Sequence, residues 1–183
     1  MKNAVKITAM PMVERYDQGQ SKFFGSPAVP NSWKDTFPDD EVFICQIRLE
    51  DLVQFESEHM LPQTGYLYFF VRTEGNKLTP HIMYYGGEPD TLIDNFNSIV
   101  PEFSHLVNDT LVYFESCDGL SDGTRLFGST QNLDAEYIDK KLLMLFDTRS
   151  LPTPFFKDKD AQLYFFFGES CDLSDVELYI KEV

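Results

Sequence analysis

The chain of 183 residues carries 30 acidic and 15 basic side chains, which gives a formal net charge of -15 at pH 7. Such a charge repels phosphate backbones and anionic lipid, so it argues against nucleic-acid and membrane partners and favours a basic protein partner. Aromatic residues make up 15% of the chain, which is typical of a packed core and not of disorder. The acidity has a second explanation, because it keeps an aromatic-rich protein in solution.

The compartment is predicted from the start of the chain and from the cysteines. The first 15 residues hold no apolar run long enough for a signal peptide or a membrane span. Cys45, Cys117 and Cys171 are odd in number and form no Cys-x-x-Cys pair, so neither a disulfide framework nor a zinc site is indicated. We therefore expect a cytoplasmic protein.

Three segments near the start of the chain recur in the same order near its end. Residues 22–26 recur as 125–129, residues 43–49 as 142–147, and residues 65–71 as 161–167. The pattern predicts an internal duplication over about residues 22–85 and 125–180. We expect the two halves to pack as one body, a single domain over residues 1–183.

The repeated segments have the composition of strands. Residues 66–71 and 163–167 are short aromatic runs without clean alternation, which indicates strands covered on both faces. Each is followed by a shorter strand candidate, at 81–85 and at 176–180, and this spacing is typical of antiparallel hairpins. Val176, Leu178 and Ile180 alternate with polar residues, which predicts one wet face near a sheet edge. The side chains that we expect in the core are Leu67, Phe69, Leu163 and Phe165.

Helical patterns are fewer. Residues 50–60 place apolar side chains at spacings that allow two helical turns, and residues 90–107 come close to a helical period. Asp90 would cap the second helix, which should run to about Val100 because Pro101 breaks the pattern. These observations predict an α+β fold that is predominantly antiparallel β, with a few short helices.

A resemblance to a known family rests on several ordered blocks. The segment Ser-Lys-Phe-Phe-Gly-Ser-Pro-Ala-Val-Pro at 21–30 resembles the Ser-Lys-x-Gly-Gly-x-Pro-x-Leu-Pro opening of YwqG-like proteins. The blocks that follow in that family are similar to residues 43–52, 65–70, 163–166 and 172–176. Phe24 departs from the pattern, since it replaces the first of the paired glycines. The resemblance covers about Ile7 to Val183 and implies a mostly β fold with an internal duplication, without an established activity.

Asp39, Asp40 and Glu41 are the candidate partner-binding residues. Three adjacent carboxylates precede a strand there, and they suit either a solvated turn or, as a less favoured alternative, a hard cation. A similar turn follows two aromatic strands, at 115–122 and 169–175, but both copies lack the alternating acids of a calcium loop. We therefore expect no bound metal and no other cofactor.

Catalytic groups are not apparent in the sequence. Cys117 and Cys171 stand among acids, which disfavour a reactive thiolate. His59, His81 and His105 show no metal-ligand spacing. The favoured hypothesis is a non-catalytic binding protein, such as an acidic inhibitor or an immunity-type partner of a basic protein. The alternative is an enzyme or small-ligand-binding protein with a site in the groove between the two halves.

Overall fold

The computed structural model describes residues 3–10, 17–55, 60–131 and 133–183. Their strands are β1 (Asn3–Ala9), β2 (Lys22–Phe23), β3 (Ala28–Val29), β4 (Glu41–Arg48), β5 (Tyr66–Glu74), β6 (Lys77–Tyr85), β7 (Thr91–Leu92), β8 (Thr110–Asp118), β9 (Arg125–Leu126), β10 (Leu142–Asp147), β11 (Ala161–Phe167) and β12 (Val176–Glu182). Ten of them form one sheet in the order β6-β5-β4-β2-β8-β1-β9-β10-β11-β12, and β3 pairs with β7 separately. Every pairing is antiparallel, as the hairpin spacing predicted.

The order of the large sheet is the same when it is followed inward from either end. β6, β5, β4, β2 and β8 form one arm, and β12, β11, β10, β9 and β1 form the other, with β8 and β1 paired at the centre. The pairing of β4 with β5 is irregular between Phe43 and Cys45, and that of β10 with β11 is irregular between Leu142 and Met144. In the chain, β1 comes just before β2 and β8 comes just before β9, but in the sheet β1 pairs with β9 and β8 pairs with β2. The two arms therefore exchange their central strands.

The main core lies inside this sheet. The end strands β6 and β12 contact each other, so the sheet closes nearly into a cylinder. Side chains of both arms fill the interior, and they include all four residues expected there: Leu67, Phe69, Leu163 and Phe165. Burial of each such side chain contributes about 1.5–3 kcal/mol relative to exposure, so the main core depends on side chains from both arms.

The outer faces of β5 and β11 are covered as well, which confirms the prediction from their unbroken aromatic runs. Tyr66, Tyr68 and Phe70 of β5 belong to an outer cluster that is covered by the loops on either side of β3 and β7. Tyr164 and Phe166 of β11 belong to a smaller outer cluster covered by residues 133–140. By contrast, β12 lies at one end of the sheet order, as predicted, and its Val176, Leu178 and Ile180 pack against the main core. Its burial does not alternate, because the side chains from Val176 to Lys181 are all half-buried, so the predicted wet face is only partly open to solvent.

The two turns after β2 and β9 share a rare backbone conformation. Phe24 has φ +55° and Phe127 has φ +59°, and the glycines that follow, Gly25 and Gly128, also have positive φ. Left-handed backbone is strained for a bulky side chain but not for glycine. The two consecutive left-handed residues explain why glycines suit this turn. Phe24 has no such freedom, and its burial in the core offsets the backbone strain.

Close approach makes the second residue of each turn a glycine. A Cβ on Gly25 would lie 1.7 Å from Oδ1 of Asp109, and a Cβ on Gly128 would lie 2.5 Å from the carbonyl oxygen of Gly119. Both distances are far below van der Waals contact, so no side chain fits at either position. The two turns thus face different groups, a carboxylate in one arm and a backbone carbonyl in the other.

The helix predictions are wrong. Within the described ranges no α-helix occurs, and the helical pieces are short 3₁₀ helices: Asn31–Trp33, Leu49–Leu52, Phe96–Ile99, Pro101–Phe103, Ala135–Tyr137 and Thr148–Ser150. Asp90 accepts a hydrogen bond from the Asn31 backbone at 2.7 Å, and the next two residues form β7. Tertiary pairing therefore overrides the local helical period. The segment predicted at 50–60 is 3₁₀ at its start, and residues 56–59 lie outside the described chain.

None of these helices has the length and hydrophobicity that a membrane crossing requires.

Candidate functional site

The three adjacent carboxylates are placed in different environments. Asp39 is exposed, Asp40 is half-buried, and Glu41, the first residue of β4, is only 2% exposed. The carbonyl oxygen of Asp40 accepts a hydrogen bond from the backbone of Thr73 at 2.9 Å. The turn therefore presents Asp39 and part of Asp40 to solvent, and it directs Glu41 inward.

Glu41 joins three neighbouring strands. Its Oε1 contacts Nδ1 of His81 in β6, and its Oε2 lies 3.6 Å from Nε of Arg72 in β5. A buried carboxylate needs such cationic or hydrogen-bonding neighbours, because an unpaired one is costly. The contacts explain why this acid occupies the interior end of the turn. They also pair Nδ1 of His81 with a carboxylate.

A small pocket lies beside this turn. It has a volume of about 160 Å³ and lies between residues 34–41 and 93–99. Its lining side chains are Lys34, Phe37, Pro38, Asp39, Glu41, Ile93, Asp94, Asn95, Phe96, Ser98 and Ile99. We call it the acidic pocket, because it has three carboxylates and one amine. Its floor is aromatic, since the Phe37 and Phe96 rings meet at right angles with centroids 5.1 Å apart.

Asn97 fixes one wall of the acidic pocket. Its side-chain oxygen accepts from the Phe43 backbone at 2.7 Å, and its amide donates to the carbonyl oxygens of Phe43 and Leu106 at 2.9 and 3.1 Å. Asn97 is fully buried, so solvent water does not compete for these hydrogen bonds. The wall that carries Asp94 is therefore held in place before any partner arrives, which lowers the entropic cost of binding.

Charge around the acidic pocket is strongly one-sided. Residues 31–40 and 88–94 contain Asp35, Asp39, Asp40, Glu88, Asp90 and Asp94 against the single base Lys34. Glu88 accepts a hydrogen bond from the Tyr66 hydroxyl at 3.0 Å, while Asp39 and Asp94 are exposed beside the pocket. Ile99, 60% exposed, adds an apolar edge. A cationic side chain with an apolar stem, lysine or arginine, matches this combination.

A larger groove lies where segments from the two parts of the chain meet. It has a volume of about 550 Å³ and is lined by Thr73, Gly75, Asn76, Leu78, Glu102, Phe103, Phe156 and Lys159. The ammonium of Lys159 lies 5.4 Å from the centre of the Phe156 ring and is paired with Glu182. The groove thus combines the apolar side chains of Leu78, Phe103 and Phe156 with four polar or charged ones, and a ligand with apolar surface fits its apolar part.

The cysteines and histidines occupy separate positions. Cys45 is buried, and burial raises the pKa of its thiol well above the usual value, which makes it unreactive. Cys117 is half-buried and Cys171 is exposed. His105 shares a hydrogen bond with the Pro154 carbonyl at 2.8 Å, and His59 lies outside the described residues. Among the residues described, no group of three or more acids, histidines or cysteines is arranged to hold a metal ion.

Sequence reasoning found one side of the acidic pocket and missed the other. Asp39 and Asp40 stood out as adjacent acids, whereas Asp94, Phe37 and Phe96 carry no local signal that joins them to that turn. Their meeting depends on the pairing of β3 with β7, which brings residues 28–29 against 91–92.

Comparison with known proteins adds no assignment, because no family model matches the chain and no curated protein matches it significantly. The resemblance to YwqG-like proteins therefore stays a prediction. Function has to be argued from the side chains themselves.

Proposed function

We propose that this protein is a non-catalytic binding protein that docks a basic protein through the loop surface around Asp39, Asp40 and Asp94. The observation that carries the proposal is the acidic pocket, a preformed depression with carboxylates beside an aromatic floor. A lysine or arginine of the partner would lay its stem on Phe37 and bring its charge to Asp39 and Asp94. An inhibitor or immunity-type role, in which the protein covers a basic surface of its partner, follows from this chemistry.

Electrostatics supports a cationic partner over a neutral one. With a formal net charge of -15, the protein attracts a basic partner over several ångströms and accelerates its association, and salt weakens that attraction. Exposed charges contribute more to the rate and the specificity of encounter than to raw affinity. The aromatic floor of the acidic pocket supplies the apolar contact that affinity needs.

The absence of catalysis is part of the same proposal. The ion pairs with a buried member that the structure describes include Glu41 with His81, Asp147 with Arg149, and Lys22 with Asp109 at 2.9 Å. Such pairs stabilise a fold, whereas a catalytic acid or base needs to reach a substrate.

The second candidate function is the binding of an apolar small molecule in the groove between the two parts of the chain. Its support is the volume of about 550 Å³ next to Phe103 and Phe156, which lies within the range of ligand pockets. Substitution of Phe156 by Ser would weaken such a ligand and would leave a basic partner at the acidic pocket unaffected, because Phe156 is not among the residues that line that pocket.

We also propose that the two arms of the sheet descend from a duplicated unit. In support, the backbone of Phe24 donates to the Ile44 carbonyl at 2.9 Å, and that of Phe127 donates to the Leu143 carbonyl at 3.1 Å. The equivalent irregularities in strand pairing point the same way. Paired left-handed residues after β2 favour membership of the YwqG-like family, whose opening has paired glycines there. Three free cysteines favour a cytoplasmic location.

The test is affinity capture from the native host with charge-reversed surfaces. We expect the wild-type protein to capture a basic protein. The double variant Asp39→Lys with Asp94→Lys should capture much less of that protein. The matched control is Asp139→Lys with Glu169→Lys, which changes the net charge equally at exposed positions outside the pocket. Association measured with the captured protein should slow as salt rises toward physiological strength. Equal capture by both double variants would contradict the proposal.

A further inference from the structure

Arg125 in β9 is a buried cation that forms no ion pair with a described carboxylate. It is only 4% exposed, and its Nη1 and Nη2 atoms donate to the carbonyl oxygens of Ser121 at 2.8 Å and Ser129 at 2.6 Å. Among the residues that the structure describes, its Nε has no hydrogen-bond partner. In the described part of the chain, none of the ion pairs includes Arg125. A buried charge whose hydrogen bonds go only to carbonyl oxygens is costly. Burial lowers the pKa of Arg125, although the nearby charges of Asp122 and Asp147 oppose that shift.

The other arm of the sheet solves the same problem differently. Lys22 in β2 occupies the position that matches Arg125, since each precedes the left-handed turn and faces the central strand pair. Its ammonium lies 2.9 Å from Oδ2 of Asp109, and the same carboxylate accepts from the Ser26 backbone at 2.8 Å. The cation of the first arm is therefore neutralised from within the protein.

Among the described residues, no carboxylate forms an ion pair with the cation beside the second turn. There the backbone of Ser129, the counterpart of Ser26, donates to the carbonyl of Gly119 at 2.8 Å. A carbonyl oxygen carries only a partial charge, so the guanidinium of Arg125 keeps most of its field. The difference between the arms is thus one carboxylate in direct contact, which Lys22 has in Asp109, whereas Asp122 and Asp147 act on Arg125 without forming an ion pair with it.

Arg125 forms part of the wall of a cavity of about 170 Å³, which we call the Arg125 pocket. Its other lining residues are Leu120, Ser121, Asp122, Ser129, Thr130, Gln131, Leu145, Gln162, Tyr164 and Lys181. The volume is more than ten times the roughly 10–15 Å³ that one water needs, so a small organic molecule fits. Lys181 adds a second positive charge, and Ser129 and Thr130 add hydroxyl groups.

We propose that the Arg125 pocket binds a small molecule through a carboxylate group, which supplies from outside the negative charge that Asp109 supplies to Lys22. The planar guanidinium has donors left for an anion after its two bonds to carbonyl oxygens, because it carries five N–H groups. Arginine matches the two oxygens of a carboxylate, and the fit is strongest where water is excluded.

Other groups in the pocket favour a monoanion over a phosphate. Asp122 lines the same cavity and repels a doubly charged ligand more strongly than a singly charged one. The Tyr164 hydroxyl donates to the Gln162 side chain at 2.7 Å, and the Gln162 amide donates to Asp147 at 3.0 Å. Tyr164 thus turns its proton away and offers an acceptor oxygen, which suits a donor group on the ligand next to its carboxylate.

The first experiment is a titration of ¹⁵N-labelled protein with sodium acetate, compared with sodium chloride at the same ionic strength. We expect acetate to shift the Arg125 Nε–H and the Ser129 and Thr130 amides along saturable curves, with a millimolar dissociation constant typical of so small a ligand. Inorganic phosphate should bind more weakly. Shifts that do not saturate, or that chloride reproduces, would overturn the proposal, and tighter binding of phosphate would overturn the assignment to a carboxylate.

Surface variants make the test independent of folding. Asp122→Asn removes one negative charge from the pocket and should tighten acetate binding roughly threefold to tenfold, the effect of one charge at a separation of several ångströms. Gln131→Glu adds a negative charge at an exposed lining position and should weaken binding by a similar factor. The control Asp139→Asn removes the same charge outside the pocket and should change little. Equal affinities for Asp122→Asn and Asp139→Asn would refute a site at Arg125.

Discussion

The rings of Phe69 in β5 and Phe165 in β11 meet edge to face inside the sheet, with centroids 5.4 Å apart and planes at 79°. Both side chains are fully buried. Their strands are each second from an end of the sheet order, so this contact joins the two arms across the interior. Edge-to-face pairs contribute about 0.5–1.5 kcal/mol beyond the area that they bury.

Phe69→Ala should therefore lower the free energy of unfolding by about 3–5 kcal/mol, the usual cost of deleting a buried phenyl ring. Urea denaturation measures the loss. Phe165→Ala should cost a similar amount, and the double variant should lose less than the sum because the two rings touch. Ile138→Ala is the control, since Ile138 is 63% exposed. A loss below about 1 kcal/mol for Phe69→Ala would contradict the structure at this contact.

Much of the sheet was predictable from sequence because strands with buried faces have a recognisable pattern of apolar residues. β5 and β11 are unbroken aromatic runs, and β12 alternates cleanly. The helix predicted from Asp90 does not form, since the apolar spacing is satisfied by two 3₁₀ helices, Phe96–Ile99 and Pro101–Phe103, that begin only after Asn95 with its φ of +54°. Local periodicity does not show that two residues beside Asp90 pair with β3.

The candidate sites were less predictable because each depends on residues that are remote in sequence. The repeat of 22–26 at 125–129 was visible, and it aligns Lys22 with Arg125. The sequence did not show that Lys22 is paired and that Arg125, among the described residues, is not. That difference depends on Asp109, which precedes a strand with no counterpart in the repeat pattern. Charge pairing across a fold leaves no periodic signal in the chain.

A fragment of residues 1–118 should fail to fold cooperatively. It contains all strands from β1 to β8 but lacks β9, which pairs with β1, and it lacks the arm that closes the main core. Exposed apolar faces then leave a collapsed and fluctuating product. Urea unfolding followed by circular dichroism should show a broad change without a midpoint, whereas the full chain shows a single sharp transition. A sharp transition for the fragment would show that one arm is stable by itself.

The left-handed turn should reverse the usual order of alanine and glycine. Phe24 is buried against Phe155 and Phe146, so removal of its ring is costly in either variant. At its φ of +55° alanine is strained and glycine is not, and we expect Phe24→Gly to be about 1 kcal/mol more stable than Phe24→Ala.

Phe23 supplies the matched control for this comparison. It is equally buried but lies within β2, where glycine costs about 0.5–1 kcal/mol more than alanine. Chemical denaturation of the four variants gives both differences. The same order at positions 23 and 24 would be incompatible with a left-handed Phe24.

The three thiols should react with a disulfide reagent at well separated rates. Cys171 is exposed and should react first, and Cys117 is half-buried and should follow. Cys45 is buried with a raised thiol pKa, so its thiolate is scarce and inaccessible, and it should react only when the protein unfolds. Ellman's reagent at pH 8 gives the rates, and Cys171→Ser should remove the fast phase alone. A fast reaction of Cys45 in the native state would place it outside the core.

The ion pair of Asp147 with Arg149 should protect the fold against acid. Burial by itself would raise the pKa of Asp147, but hydrogen bonds from Arg149 and Gln162 outweigh burial and lower the pKa below the ordinary value of 3.8. A lowered pKa means that the charged carboxylate is favoured in the folded state. Its contribution to stability is therefore present above about pH 3.8 and is lost as the pH falls through the lower, folded-state pKa.

Arg149→Gln removes the bidentate contact, in which the Nε and Nη2 atoms lie 2.9 and 2.6 Å from the two carboxylate oxygens. Arg149 is largely exposed, so the loss at pH 7 should be modest, about 0.5–1 kcal/mol. It should shrink as the pH falls below 3.8, because the protonated carboxyl no longer attracts the cation. Lys77→Gln removes the same charge from an exposed position and corrects for the change in net charge. Unfolding curves at several pH values give both differences. A gap between Arg149→Gln and Lys77→Gln that stays constant from pH 7 into the acid range would mean that Asp147 is not the group that Arg149 stabilises.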